Sequence, residues 1–148
     1  MSDPDEGAWF EVEERIDATP EEIFPFLIEP ERYVRWMGVE SELDVRPGGV
    51  YRVRMSNDTV ALGAFVTVEP ARRLVFTWGW QGSEAVPPGS STVEITLHED
   101  RGSTLIRVRH SGLPDEQARR DHTEGWEKYL ARLGVVATGG DPGPDEHR

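Results

Sequence analysis

The chain has 148 residues and 36% hydrophobic content, which suits one domain with a core of its own. Its net charge of −12, from 28 acidic against 16 basic residues, argues against nucleic acid and anionic lipid as partners. There is no cysteine, no apolar run near the ~20 residues a membrane span needs, and no export signal in "MSDPDEGAW"; these features predict a cytoplasmic protein without disulfides or thiolate metal sites.

Residues 1–7 are acidic and small and are expected to be disordered. "WFEVEERI", from Trp9 to Ile16, reads as a strand. In "ATPEEIFPFL" Thr19 is an N-cap, Pro20 fits the first helical position and Glu22 completes a capping box. "EPERYVRWM" restarts after Pro30, so two short helices are expected. A run of strands follows. "SELDVR" turns at "PGG" into "VYRVRMS"; "ND" turns into residues 59–69; "PARR" turns into "LVFTWGW". After the polar loop "QGSEAVPPGS", "STVEITLHE" and "STLIRVRHSG" alternate apolar and polar residues about the turn "DRG". Arg52 and Arg54 alternate with apolar residues and are assigned to the outer face. "LPDEQARRDHTEGWEKYLARLG" is one long helix stopped by Gly134. Residues 135–148 are expected to form a disordered acidic tail, leaving 8–134 as the folded domain.

This order predicts an α+β fold: a curved antiparallel sheet of about seven strands, covered on its apolar face by the long C-terminal helix. A cavity can remain where sheet and helix do not touch. The stretches "ATPEEIFPFLIEPERYVRWM", "RPGGVYRVRM", "GAFVTVEPARRLVFTWGW", "STVEITLHE" and "HSGLPDEQARRDHTEGWEKYLARL" together resemble the START-like (SRPBCC) superfamily. Within it they are similar to the branch named for the activator of heat-shock protein 90 ATPase, in its bacterial stand-alone form. The resemblance covers residues 9–134 and implies a helix-grip (Bet v 1-like) fold with a pocket between sheet and C-terminal helix. It supplies no universal catalytic residue.

At 100 degrees per residue, His122, Trp126, Tyr129, Leu130 and Leu133 fall in one stripe of the last helix, which is assigned to the sheet-facing side. Gly125 lies about 60 degrees from His122. Its missing side chain is read as allowing close approach to a neighbouring element, so leucine there is expected to destabilise. Five tryptophans in so short a chain fit an aromatic-lined cavity for a flat or greasy ligand. The expected pocket lining is Trp36, Tyr51, Phe65, Phe76, Trp78, Trp80, His110, His122 and Trp126, with a closed-off space bounded by Trp78, Phe65 and Trp126.

No nucleophile elbow, phosphate loop or HExxH motif occurs, and two histidines without a carboxylate pattern make no metal site. No catalytic residue, metal or cofactor is therefore assigned. The favoured reading is a module that binds a small apolar or aromatic molecule. One alternative is a cyclase, dehydratase or hydrolase using His110, His122 or Asp115 to move protons. The other is a protein-interaction domain acting on a chaperone, disfavoured because the resemblance implies a further N-terminal domain for that role. Edge strands and aromatic residues would allow a homodimer.

Overall fold

The structure, a computed structural model, describes residues 9–146. Strand β1 (Trp9–Ile16) leads into three single-turn helices, α1 (Pro20–Ile23), α2 (Pro25–Ile28) and α3 (Pro30–Tyr33). Each opens on a proline. Proline suits a first helical position, where its missing N–H has no partner to lose, and it interrupts a helix interior. A proline every fifth residue therefore restarts the helix, and the first of the two expected helices is divided at Pro25. Thr19 forms the expected capping box: the Glu22 N–H donates to Thr19 Oγ1 at 3.2 Å, and the Thr19 N–H donates to Glu22 Oε1 at 3.0 Å.

Six strands follow: β2 (Glu40–Leu43), β3 (Val50–Arg54), β4 (Val60–Glu69), β5 (Arg73–Trp78), β6 (Ser91–Asp100) and β7 (Ser103–Ser111). They build a seven-stranded antiparallel sheet in the order β1-β7-β6-β5-β4-β3-β2. Arg101 and Gly102, at φ 54° and 83°, form the tight two-residue turn between β6 and β7. The period-2 pattern sorts the faces. Val93, Ile95, Leu97, Ile106, Val108, Leu74 and Phe76 point inward and are buried. The outer face carries ion pairs, Arg73 with Glu94 at 2.7 Å and Arg107 with Glu13 at 3.1 Å. Arg52 and Arg54 lie in the same kind of row, paired with Glu40 and Asp58.

Helix α4 (Glu116–Ala137) lies over the inner face and buries Trp126, Tyr129, Leu130, Leu133 and Val136. Asp115 is its N-cap, accepting from the Ala118 N–H at 2.8 Å. None of the helices among the described residues is long and apolar enough to cross a membrane.

The end of the chain departs from expectation. α4 runs through Gly134 to Ala137, and the stop comes at Gly139, whose φ of 91° suits glycine. Residues 139–146 then fold back over the helix as a strap. Arg132 holds it with three nitrogens on backbone carbonyls: Nε to Trp36 at 2.9 Å, Nη1 to Pro142 at 3.2 Å and to Pro144 at 3.4 Å, and Nη2 to Gly143 at 3.0 Å. Asp145 is buried and accepts from the Gly38 N–H at 2.8 Å, the Tyr129 hydroxyl at 3.0 Å and Lys128 Nζ at 3.1 Å. Burial alone would raise its pKa, but these donors outweigh it and hold the carboxyl below the usual range. The disordered tail expected from residue 135 is thus corrected through residue 146. Composition marks a segment rich in glycine, proline and acidic residues, but backbone carbonyls and one carboxylate suffice to pin it. The expectations for residues 1–7 and for residues 147 and 148 lie outside the described residues.

Candidate functional site

Beyond the end of β5 the chain must turn through loop 81–90 before entering β6. Gly79 lets that loop lie close, since a Cβ there would overlap the Pro87 carbonyl. The Trp80 N–H donates to the Val86 carbonyl at 2.7 Å, and Val86 is buried. Between this loop, the end of β5 and the N-terminal half of α4 lies a cleft of about 680 Å³. Trp78, Trp80, His122 and Trp126 form its wall, with Met37, Val86 and Tyr129. Its outer side is bordered by exposed residues, among them Ala85, Gln117, Asp121 and Glu124, so it opens to solvent.

Two histidines and two indoles form a hydrogen-bonded wall. The Trp80 Nε1–H donates to His122 Nε2 at 3.0 Å, and the Trp126 Nε1–H donates to His110 Nδ1 at 3.1 Å. The partners fix both tautomers. His122 Nδ1 faces the Ala118 carbonyl at 2.8 Å, which can only accept, so this nitrogen carries the proton. His110 Nε2 donates to Ser91 Oγ at 2.9 Å, and the Ser91 hydroxyl in turn donates to the Trp78 carbonyl at 2.8 Å. The imidazole rings meet edge to face, 5.1 Å apart. Burial pushes the His110 pKa well below its ordinary value, and the neighbouring His122 adds to the effect. Burial likewise lowers His122, against the bond to Ala118 and the charge of Asp121. Both rings are neutral near pH 7, and each has its lone pair occupied by an indole N–H. Trp78 differs: at 3% exposure its Nε1–H is buried without a partner. An unmade bond of that kind costs about 1–3 kcal/mol.

The nine residues expected to line a pocket divide into two groups. Trp78, Trp80, His122 and Trp126 surround the cleft. Tyr51, Phe65 and Phe76 lie deeper, where Phe76 stacks on Tyr51 at 4.1 Å and Phe65 meets both edge-on. Trp36 is fully buried among the short helices, its Nε1–H donating to the Phe26 carbonyl at 2.8 Å. His110 has no exposed surface and stands behind Trp126. The Tyr33 and Tyr51 hydroxyls hydrogen-bond to each other and close the interior. The closed-off space expected between Trp78, Phe65 and Trp126 is therefore corrected: aromatic packing fills the Phe65 side, and the remaining volume opens outward. Alternation identifies inward-facing rings but not how far along a strand the packing ends. The loop residues Ala85 and Val86 escaped notice because their surroundings are polar and proline-rich; a lone valine in "SEAVPP" is the only trace.

Gly125 is also corrected. A Cβ built there meets nothing within 4 Å, and the residue borders the cleft. It keeps the cleft open and does not serve close packing. Gly125→Ala is therefore expected to raise stability by up to about 1 kcal/mol, from helix propensity, in a denaturant titration; a loss of that size would show that the position is packed.

The family model described as Activator of Hsp90 ATPase homolog 1-like protein matches residues 17–138. A solved AHSA1-like protein from Rhizobium etli is 46% identical, with a TM-score of 0.71 over 95% of this chain and 93% of that one. DynU16, described as a protein in the dynemicin biosynthetic locus, is 26% identical, with a TM-score of 0.79 over 91% of this chain and 49% of that one. An uncharacterised protein of Schizosaccharomyces pombe is 28% identical over 104 residues, which are 67% of this chain and 28% of that relative's length. Among the described residues no group of three or more histidine, aspartate or glutamate side chains is placed to hold a metal.

Proposed function

Because the chain belongs to the Activator of Hsp90 ATPase homolog 1-like family and shares its helix-grip fold, we propose that it binds a small, flat, apolar molecule in the cleft beside α4. The observation that carries this reading is a cleft of about 680 Å³ walled by three indoles, a volume and lining typical of small-molecule sites. The DynU16 likeness also suits a small-molecule role, given the biosynthetic locus of that protein.

The enzyme alternative needs a base with a free lone pair. His110 and His122 each accept from an indole, so using either would first require breaking the Trp126 or Trp80 bond; Asp115 keeps one oxygen uncommitted, but it is the exposed N-cap of α4. The chaperone alternative needs a contact surface. The exposed large apolar residues Trp9, Val39, Val66 and Val135 stand on four different parts of the fold.

Gly125→Leu tests the binding reading. Leucine suits the helix and meets no neighbour near its Cβ, so the melting temperature should hold or rise. Its side chain intrudes on the cleft, so affinity for 1-methylnaphthalene, followed by tryptophan fluorescence, should fall roughly tenfold or more. Unchanged affinity would show that the probe binds elsewhere.

A further inference from the structure

The charge around the cleft is one-sided. Asp115, Asp121 and Glu124 border it, while no lysine or arginine does, although the chain has 16 of them. Among the described residues none of these three carboxylates has an ion-pair partner. Asp115 Oδ1 caps Ala118 and Asp121 Oδ1 accepts from the Gln117 amide, which leaves each with one oxygen uncommitted. His122, in the wall behind them, is neutral and fully bonded, and Arg120 on this stretch of α4 pairs with Glu116 instead. Behind them stand the indoles of Trp78, Trp80 and Trp126. Their electron-rich faces attract cations, most strongly those that shed water easily. A carboxylate or phosphate ligand would find no positive group here and three negative ones at the rim.

Resting on the binding reading above, we infer that the cleft selects an organic cation with a flat conjugated body, its rings against the indoles and its positive charge beside Asp115, Asp121 and Glu124. A delocalised ring cation fits better than a compact ammonium, because it loses less hydration on entering an apolar wall.

Three probes of one size separate charge from shape: 1-methylquinolinium, 1-methylnaphthalene and 1-naphthoate. Each is titrated into the full chain at low and at high salt, with tryptophan fluorescence and calorimetry as readouts. At low salt the quinolinium should bind at least roughly tenfold tighter than the naphthoate, and added salt should narrow the gap. In the triple variant D115N/D121N/E124Q that ratio should collapse, while 1-methylnaphthalene affinity stays within about twofold. Asparagine remains a good N-cap, so the helix is retained, and a melting curve checks this. If 1-methylnaphthalene binds as tightly as the quinolinium, or the triple variant keeps the ratio, charge selection is overturned and the apolar cleft stands. If none of the three probes binds, the binding reading falls, and this inference falls with it.

Discussion

Arg132→Ala should lower the stability of this fold by about 3 kcal/mol, or roughly 10 °C in melting temperature for a chain of this size. Arginines such as Arg52, Arg73 and Arg107 sit in ion pairs on the outer sheet face, and surface pairs contribute about 0–1 kcal/mol each. Arg132 is different. Its guanidinium donates to four backbone carbonyls from two parts of the chain, Trp36 after α3 and Pro142, Gly143 and Pro144 in the strap. Removing it frees those carbonyls and loosens the segment that delivers Asp145 to Gly38, Tyr129 and Lys128. Arg132→Lys should recover only a minor part, since one ammonium cannot span the same carbonyls. A melting temperature within about 1 °C of the parent would refute the strap's structural role.

Acidification from pH 7 to 5 should weaken the fold. The sign follows from burial. His110 and His122 have folded pKa values below the unfolded value near 6.5, so the unfolded chain takes up protons first as the pH drops. Their contribution is complete above about pH 6.5 and drains as the pH falls through that value toward the folded pKa. Each imidazole held neutral costs up to about 1.4 kcal/mol per pH unit in this window. Asp145, also shifted down, acts mainly below about pH 4 and does not confuse the result. His110→Gln is the informative control. Its amide can accept from Trp126 and donate to Ser91 without titrating, so the slope between pH 6.5 and 5 should become shallower. Urea titrations across this range check both statements, and a flat profile in the parent would overturn the assignment of neutral, bonded rings.

The fold was legible because its signals are local and repeated. Alternation in "STVEITLHE" and "STLIRVRHSG" marks inner and outer faces, and Thr19, Pro20 and Glu22 mark a helix start. The site was legible in half. Trp78, Trp80, His122 and Trp126 converge because strand and helix periodicity place them on facing surfaces. Tyr51, Phe65 and Phe76 carry the same signal and yet pack solidly, since periodicity gives direction and not depth. Gly125 is ambiguous for a related reason: a glycine inside a helix indicates either a close neighbour or an open space, and its surroundings in the fold decide which. The strap escaped because its anchors are main-chain atoms, which every sequence supplies alike.

The strap also makes the protein its own reporter. Lys128 is the sole lysine of the chain, and its ammonium is tied to the Asp145 carboxylate and the Glu146 carbonyl above the Tyr129 ring. An amine-reactive reagent therefore has one side-chain target, and it sits where the strap is tied to α4. Acylation of Lys128 removes the charge that faces Asp145, so a single added acyl mass marks molecules in which that tie of the strap has been cut, without a probe being built in.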